Sequence, residues 1–169
     1  MRGILSQKST DSDSQVGRRL SRRFQVNLVG EGALVGLIGG GVVTLYRLSL
    51  SAAERLLRQI TGAAAGNVAL MAAWALALLG ILLVVRALMR WEPATSGSGI
   101  PQVDAEVMGR MDMPWHRVVL AKFCEGTLLT FAGLSMGREG PSVQLGGMSG
   151  KAVSRILHRK RGEERLLVT

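Results

Sequence analysis

The chain has 169 residues, of which 47% are hydrophobic and 4% aromatic, and it carries 22 glycines and a formal net charge of +9. The hydrophobic fraction excludes intrinsic disorder of the whole chain. A single cysteine, Cys124, excludes an intramolecular disulfide framework. Many glycines, few aromatic residues and a positive mean hydropathy are unusual for a soluble core and typical of an integral membrane protein.

Residues 1–25 are polar, with six basic residues against the acidic residues Asp11 and Asp13. A secretory signal places a short apolar run directly after its first charges, and this segment does not. We therefore predict a disordered tail. Its positive charge favours the cytoplasmic side of a membrane, because Lys and Arg accumulate on that side next to apolar spans.

Two apolar runs follow the tail. Residues 26–50 contain only Glu31 and Arg47 as charged residues, and residues 59–85 contain none. A membrane-spanning helix needs about 20 apolar residues, so both runs predict spanning helices. A pair of buried helices in a soluble protein is the alternative, but two such runs are hard to bury in a chain of this size.

The remaining basic residues agree with this orientation. Arg86 and Arg90 follow the second run, where two spans that start from an inside tail bring the chain back inside, and a further basic run covers residues 151–165. Trp91 and Trp115 are placed where indole rings prefer the membrane interface. A nucleic-acid-binding protein would also explain the positive charge, but the apolar runs and the lack of interleaved aromatic residues argue against it.

Beyond the second run, the apolar segments are short and interrupted by Gly, Ser and Pro: 93–103, 117–137 and 140–150. In membrane transport proteins, short helices with such interruptions mark the substrate site. Unwound backbone is tolerated at membrane depth only where it lines a cavity or is buried in protein. We therefore place the candidate functional site in these segments rather than in the two spans.

The first interruption, residues 97–101, reads Gly-Ser-Gly-Ile-Pro and precedes a predicted helix over 102–110. Pro101 suits the first turn of a helix, where its missing N–H costs nothing. Ser98 stands where an N-cap belongs. The free backbone N–H groups of a helix start, together with a hydroxyl donor, form a site for an anion. A simple loop and helix start is the alternative interpretation.

The second interruption, residues 137–144, reads Gly-Arg-Glu-Gly-Pro-Ser-Val-Gln, so a proline again opens a helix and Glu139 stands just ahead of it. The positive end of a helix attracts either this carboxylate or a mobile anion, and the two compete. Burial raises the pKa of a glutamate, and protonation would release it from the helix end. Glu139 is thus predicted to gate the site and to carry protons. A plain cap carboxylate paired with Arg138 is the alternative.

Segments 97–101 and 137–147 together resemble the two N-terminal signature motifs of the CLC family of chloride channels and proton-coupled chloride exchangers, in the right order after two apolar spans. The resemblance covers about residues 26–169 and leaves the tail, 1–25, outside it. It implies an all-α membrane fold, the N-terminal part of the family's inverted repeat, with spanning helices followed by short broken helices. The motifs of the family's second half are absent, so we expect a truncated transmembrane domain.

The resemblance also implies roles for individual residues. Ser98 is similar to the serine whose hydroxyl contacts the central chloride, and Ile100 offers a backbone amide. Glu139 is similar to the gating glutamate, which occupies the outer anion position and takes up protons. Asp104 and Lys122 fall where family members often carry a buried carboxylate and a lysine near the ion path, and an ion pair between them is one interpretation. The motif residues that complete the implied site are Gly99, Arg138, Gly140, Pro141 and Gln144.

The function implied by the resemblance is chloride transport across a membrane, with exchange for protons favoured over passive conduction. A passive CLC-type channel and a truncated membrane fragment that does not transport are the alternatives. No enzymatic activity and no cofactor are expected, and no metal site, because His116 and His158 lack partners at metal-ligand spacing. The expected partners are chloride, protons, the lipid bilayer and, for a full-length form, a second copy in a homodimer, but no nucleic acid. The expected location is the bacterial plasma membrane, with the N-terminus in the cytoplasm.

Overall fold

The computed structural model describes residues 2–134 and 137–156, with side chains from residue 29 onward. Within these ranges all regular secondary structure is helical, which confirms the predicted all-α class. The elements are α1 (Arg2–Ala64), α2 (Val68–Trp91), a 3₁₀ turn (Pro93–Thr95), α3 (Ile100–Val107), α4 (Trp115–Phe131) and α5 (Glu139–Ile156). The chain divides into two compact units, 1–34 and 35–169, and the candidate site lies in the second.

Among the described residues, two helical segments are long and apolar enough to cross a membrane by length and composition: Val29–Ala64 and Val68–Trp91. Only 6% of the most apolar window of the second segment is buried within the protein. The core helix of a soluble protein would be mostly buried, so this exposure fits the predicted spanning helices rather than a buried soluble pair.

The break between the two spans falls later than the charge pattern suggested. The uncharged run 59–85 was predicted to be one span, but its first residues belong to α1, and the chain turns at Gly66, whose φ is 85°. Asn67 then begins α2, since its Oδ1 accepts hydrogen bonds from the N–H groups of Ala69 and Leu70 at 3.1 and 3.3 Å. A capping side chain and a glycine in the left-handed region therefore set this boundary, and charge does not mark it.

The N-terminal tail also differs from its prediction. Helix α1 begins at Arg2, so the backbone of the tail is helical where its composition predicted disorder. Extending an existing helix adds one hydrogen bond for each residue fixed, which costs far less than starting a new helix. The cytoplasmic location of the tail remains a prediction.

Helices α3, α4 and α5 are shorter than the spans, as the interrupted segments predicted, and α4 joins this group to α2. Helix α4 contacts both α2 and α5, and α5 also contacts α3. On α1, Tyr46 is buried and meets the ring of Phe123 on α4 edge to face, with 5.6 Å between the ring centroids. The two apolar clusters of this core contain Ala94, Met113, Val118 and Met148 in one and Tyr46, Leu50 and Leu145 in the other.

A buried lysine ties α5 to the connection between α3 and α4. The Nζ atom of Lys151 donates to Glu106 Oε1 at 2.5 Å, to Asp112 Oδ1 at 2.6 Å and to the Met113 carbonyl at 2.7 Å. Glu106 Oε2 accepts from the Met113 N–H at 2.6 Å. Lys151 was predicted to belong to the basic run 151–165, whose charge marks the cytoplasmic side, but its side chain is 0% exposed and its charge is paired inside the protein.

The rest of that run, from residue 157 onward, lies outside the described residues, as do the basic side chains of the tail and His158.

Candidate functional site

A lysine on α4 holds the loop that leads into the first motif. The Nζ atom of Lys122 donates to the carbonyl oxygens of Thr95 and Gly97, both at 2.7 Å, and its side chain is 1% exposed. Gln102 on α3 adds a third contact, since its Nε2 donates to the Ser96 carbonyl at 2.7 Å. The loop is therefore fixed through its main chain from both sides.

The first motif enters α3 through two glycines in the left-handed region, Gly97 with φ 76° and Gly99 with φ 90°. Side chains rarely adopt such angles, which explains why glycine stands at both positions. Gly99, and not Ser98 as predicted, is the N-cap residue of α3. The Ser98 hydroxyl instead accepts from the Ile100 N–H at 3.4 Å and is exposed. Pro101 lies in the first turn, as predicted.

The second motif packs directly against the first. A Cβ atom placed on Gly140 would lie 2.5 Å from the Ser98 carbonyl oxygen and 3.0 Å from Ser98 Cβ. A Cβ atom on Gly99 would lie 2.5 Å from Oε1 of Gln144. Both glycines thus permit a backbone approach that any larger residue would block. The structure brings the starts of α3 and α5 together, although some 40 residues of sequence separate the two motifs.

Gln144 fixes this contact from the α5 side. Its Nε2 donates to the Ala94 carbonyl at 2.8 Å, and the side chain is completely buried. Its Oε1 is buried and has no hydrogen-bond partner. Pro141 is buried in the first turn of α5, where a missing N–H leaves no hydrogen bond unmade.

Glu139 begins α5 and lies in its first turn, where the positive helix end favours a carboxylate. The side chain is exposed, whereas the prediction of a gating role assumed burial, so that premise is not observed, but an anion or a proton can reach the carboxylate. The alternative pairing with Arg138 is not observed, because the Arg138 guanidinium forms its ion pair with Glu54 on α1. The Ser142 hydroxyl, one turn later, donates to the Arg138 carbonyl at 2.6 Å.

The interpretation of Asp104 and Lys122 as an ion pair is wrong. Lys122 donates to backbone carbonyl oxygens. Among the described side chains, it forms no ion pair with Asp104. Asp104 is exposed and lies in the wall of a cavity of about 650 Å³ between α1, α3 and α5, which Ile100 also lines. The sequence order of charged residues gave no indication of the carbonyl partners, because those depend on the loop's path.

Two buried polar residues next to this loop, Thr95 and Glu125, were not among the predicted site residues. The Thr95 hydroxyl is within 2.7 Å of Oε1 of Glu125, and both side chains are at most 1% exposed. Glu125 stands three residues after Lys122, a spacing that places opposite charges on one face of a helix. This spacing is the sequence feature from which Glu125 could have been predicted to lie near Lys122.

The geometry therefore combines two helix starts, a serine between them and a glutamate at the second. A family model described as voltage gated chloride channel matches residues 80–169, slightly more than half of the chain and including both motifs. The chain belongs to the voltage-gated chloride channel family. This confirms the family membership that the two motifs predicted.

Several bacterial members of the family are similar to this chain. The H(+)/Cl(-) exchange transporter ClcA of Vibrio campbellii is 29% identical over 171 residues, which cover 98% of this chain and 36% of that protein. The protein of the same name from Vibrio vulnificus is 31% identical over 139 residues, or 79% of this chain and 29% of that protein. The one from Cronobacter sakazakii is 40% identical over 90 residues. The chain thus spans about a third of the length of the first two of these relatives.

Proposed function

We propose that this chain forms part of a chloride pathway across a bacterial plasma membrane and that its protein exchanges chloride for protons. Family membership supports chloride transport, and the relatives named H(+)/Cl(-) exchange transporters support exchange. Those relatives are transporters and not enzymes. The two apolar helices support an integral membrane location, with the N-terminus on the cytoplasmic side as the basic tail suggests.

The contact between Ser98 and Gly140 is the observation on which this proposal rests. It brings the first turns of α3 and α5 to one place, so backbone N–H groups and the positive ends of two helices face the same region. Such helix ends attract anions. The Ser98 hydroxyl is exposed beside them and is the anion donor in this proposal. The backbone N–H groups at Gly140 and Ile100 are further donors, and the Ile100 N–H would exchange its long bond to Ser98 Oγ, 3.4 Å, for the anion.

In the proposed mechanism, Glu139 alternates between two states. As a carboxylate it lies at the start of α5 and excludes a chloride ion from that position. As a neutral acid it loses its attraction to the helix end, and chloride can take its place. Each cycle then moves a proton and chloride in opposite directions. A passive channel and a membrane fragment without transport activity are the alternatives, and a homodimer is the proposed assembly of the full-length form.

Replacing Glu139 with glutamine is expected to abolish proton coupling and to leave chloride flux in place. Glutamine has nearly the shape of glutamate but can neither bind a proton nor compete as an anion. The measurement is simultaneous recording of chloride efflux and proton uptake from liposomes containing the purified protein. Proton uptake that persists in Glu139→Gln would contradict the role of this residue. Absence of chloride flux in the unmodified protein would favour the non-transporting fragment.

Replacing Ser98 with alanine is expected to weaken chloride binding by roughly tenfold or more, because a hydrogen bond to an ion contributes about 1.5–3 kcal/mol. Ser96→Ala is the matched control, since Ser96 is exposed in the same loop and its carbonyl, not its hydroxyl, makes the contact with Gln102. Isothermal titration of chloride into the detergent-purified chain measures both dissociation constants. Equal affinity in the two variants would show that the Ser98 hydroxyl does not bind the anion.

A further inference from the structure

The Thr95 hydroxyl lies between two acceptors. Its Oγ1 atom is 2.7 Å from Glu125 Oε1 and 2.8 Å from the carbonyl oxygen of Glu92, and Thr95 is completely buried. A hydroxyl carries one proton and can donate to only one of the two oxygens at a time. The Glu92 carbonyl also accepts from the Thr95 N–H at 3.1 Å, so it keeps a donor in either case.

The missing proton has a natural position on Glu125. If Oε1 of Glu125 is protonated, it donates to Thr95 Oγ1, and the hydroxyl then donates to the Glu92 carbonyl, so both short contacts become hydrogen bonds. The other carboxyl oxygen, Oε2, is buried without a partner. An ionised carboxylate needs donors on both oxygens when it is buried, whereas a neutral carboxyl group tolerates one empty position at lower cost.

We propose that Glu125 is a second proton-binding site, separate from Glu139, in which the Thr95 hydroxyl serves as the switch between two states. When a proton from water binds, an O–H bond forms on Glu125 Oε1 and the Thr95 hydroxyl turns towards the Glu92 carbonyl. When the proton leaves, the hydroxyl turns back and donates to the carboxylate. Each state keeps every hydroxyl proton in a hydrogen bond, so the site can titrate without repacking.

The charged groups around Glu125 are accounted for element by element. On α4, Lys122 lies one turn before Glu125, and its positive charge opposes protonation of Glu125. Lys122 donates to two backbone carbonyls, and among the described side chains it forms no ion pair with Glu125. The Glu92 carboxylate, ahead of the 3₁₀ turn, is held by the Ala94 N–H at 3.4 Å. On α1, Tyr46 packs against the neighbouring Gly126, Glu54 is paired with Arg138, and the arginines of the same stretch are exposed: Arg47, Arg55 and Arg58. The charged side chains of α2 and α5 are either exposed or hydrogen-bonded to other groups: Arg86, Arg90, Glu139, Lys151 and Arg155.

This proton site is joined to the anion loop. Lys122 donates to the Gly97 carbonyl, directly before Ser98, and to the Thr95 carbonyl. An anion at Ser98 interacts with the positive charge of Lys122 and repels the Glu125 carboxylate. Chloride binding therefore favours the protonated form of Glu125. By linkage, a proton on Glu125 strengthens chloride binding by the same factor. This coupling rests on the proposed function, whereas the proton site itself does not.

Infrared difference spectroscopy tests the proton site, because a protonated carboxyl group has a carbonyl band that the carboxylate lacks. The chain carries Glu139→Gln throughout, so that Glu139 does not contribute. As pH rises, exposed carboxyl groups lose this band at about pH 4, and we expect a second loss at higher pH that Glu125→Gln removes. The double variant Lys151→Met, Glu106→Gln is the matched control, since Glu106 is buried but both of its oxygens accept hydrogen bonds, and loss of Lys151 leaves no uncompensated charge. The second step should survive in this double variant.

Two further variants separate the proton site from general loss of structure. Thr95→Val removes the hydroxyl and should shift the second step, while Thr95→Ser restores the hydroxyl and should restore the step. The proton site would be overturned if the second loss of the carbonyl band is absent from the chain that carries Glu139→Gln alone. It would also be overturned if this second loss persists when Glu125→Gln is added.

Chloride tests the coupling in the same samples. Adding sodium chloride in place of sodium isethionate should move the second step to higher pH by about one unit, which equals a tenfold linkage, and Ser98→Ala should reduce the shift. A second step that chloride does not move would overturn the coupling and leave the proton site standing. Lack of chloride binding by calorimetry, with the second step present, would refute the proposed function alone.

Discussion

Replacing Lys151 with methionine is expected to lower the free energy of unfolding by about 3–5 kcal/mol, because removing one partner of a buried ion pair leaves the other charge uncompensated. Glu106 would lose the donor to its Oε1 atom while remaining 8% exposed, and the Met113 carbonyl would lose its donor too. Thermal and denaturant unfolding of the detergent-purified chain, followed by circular dichroism, measures the change.

Arg155→Met is the matched control for this prediction. Arg155 also pairs with Asp112, at 2.8 Å, but its side chain is 44% exposed, and exposed pairs contribute about 1 kcal/mol or less. The double variant Lys151→Met, Glu106→Gln removes the uncompensated charge and should recover much of the lost stability. A Lys151→Met protein as stable as Arg155→Met would mean that the buried network does not hold α5 to the connection after α3.

Replacing Gly140 with alanine is expected to abolish chloride binding, with a cost to stability of about 1–3 kcal/mol. The added methyl group would overlap the backbone carbonyl of Ser98, and Lys122 fixes the residue before it through the Gly97 carbonyl, so the starts of α3 and α5 must move apart. Gly146→Ala is the control, because Gly146 lies in the same helix and an added Cβ atom would have nothing within 4 Å.

Both substitutions replace a helical glycine with alanine, and the overlap with Ser98 is the steric difference between them. Chloride titration by calorimetry and thermal unfolding are measured on each variant. Gly140→Ala that binds chloride as tightly as Gly146→Ala would show that close approach of the two motifs is unnecessary for the anion site.

Much of the fold could be predicted because it depends on local sequence features. The uncharged runs predicted two spanning helices, and Gly and Pro at 97–101 and 137–141 predicted two short helices. Helix α3 covers Ile100–Val107 instead of the predicted 102–110. The error at the second span is also local: Asn67 and Gly66 end one helix and start the next inside a run of uncharged residues.

The partners of the site residues could not be predicted, because they depend on contacts between residues far apart in the chain. Arg138 was considered as a partner of adjacent Glu139 but pairs with Glu54, 84 positions earlier. Lys122 was considered as a partner of Asp104 but donates to carbonyl oxygens, which every residue carries and which leave no trace in a sequence. Which carbonyl a lysine reaches is decided only by the path of the loop.

The way Lys122 holds its loop has a consequence for protein engineering. Its two acceptors are main-chain oxygens, so they persist whatever side chains the loop carries. Gly97 is restricted by its left-handed backbone, but Ser96 and Ser98 are exposed and free of that restriction. Substitutions at Ser98 would therefore change the chemistry of the proposed anion position while the frame of the loop stays constant, and the same substitutions at Ser96 would serve as controls.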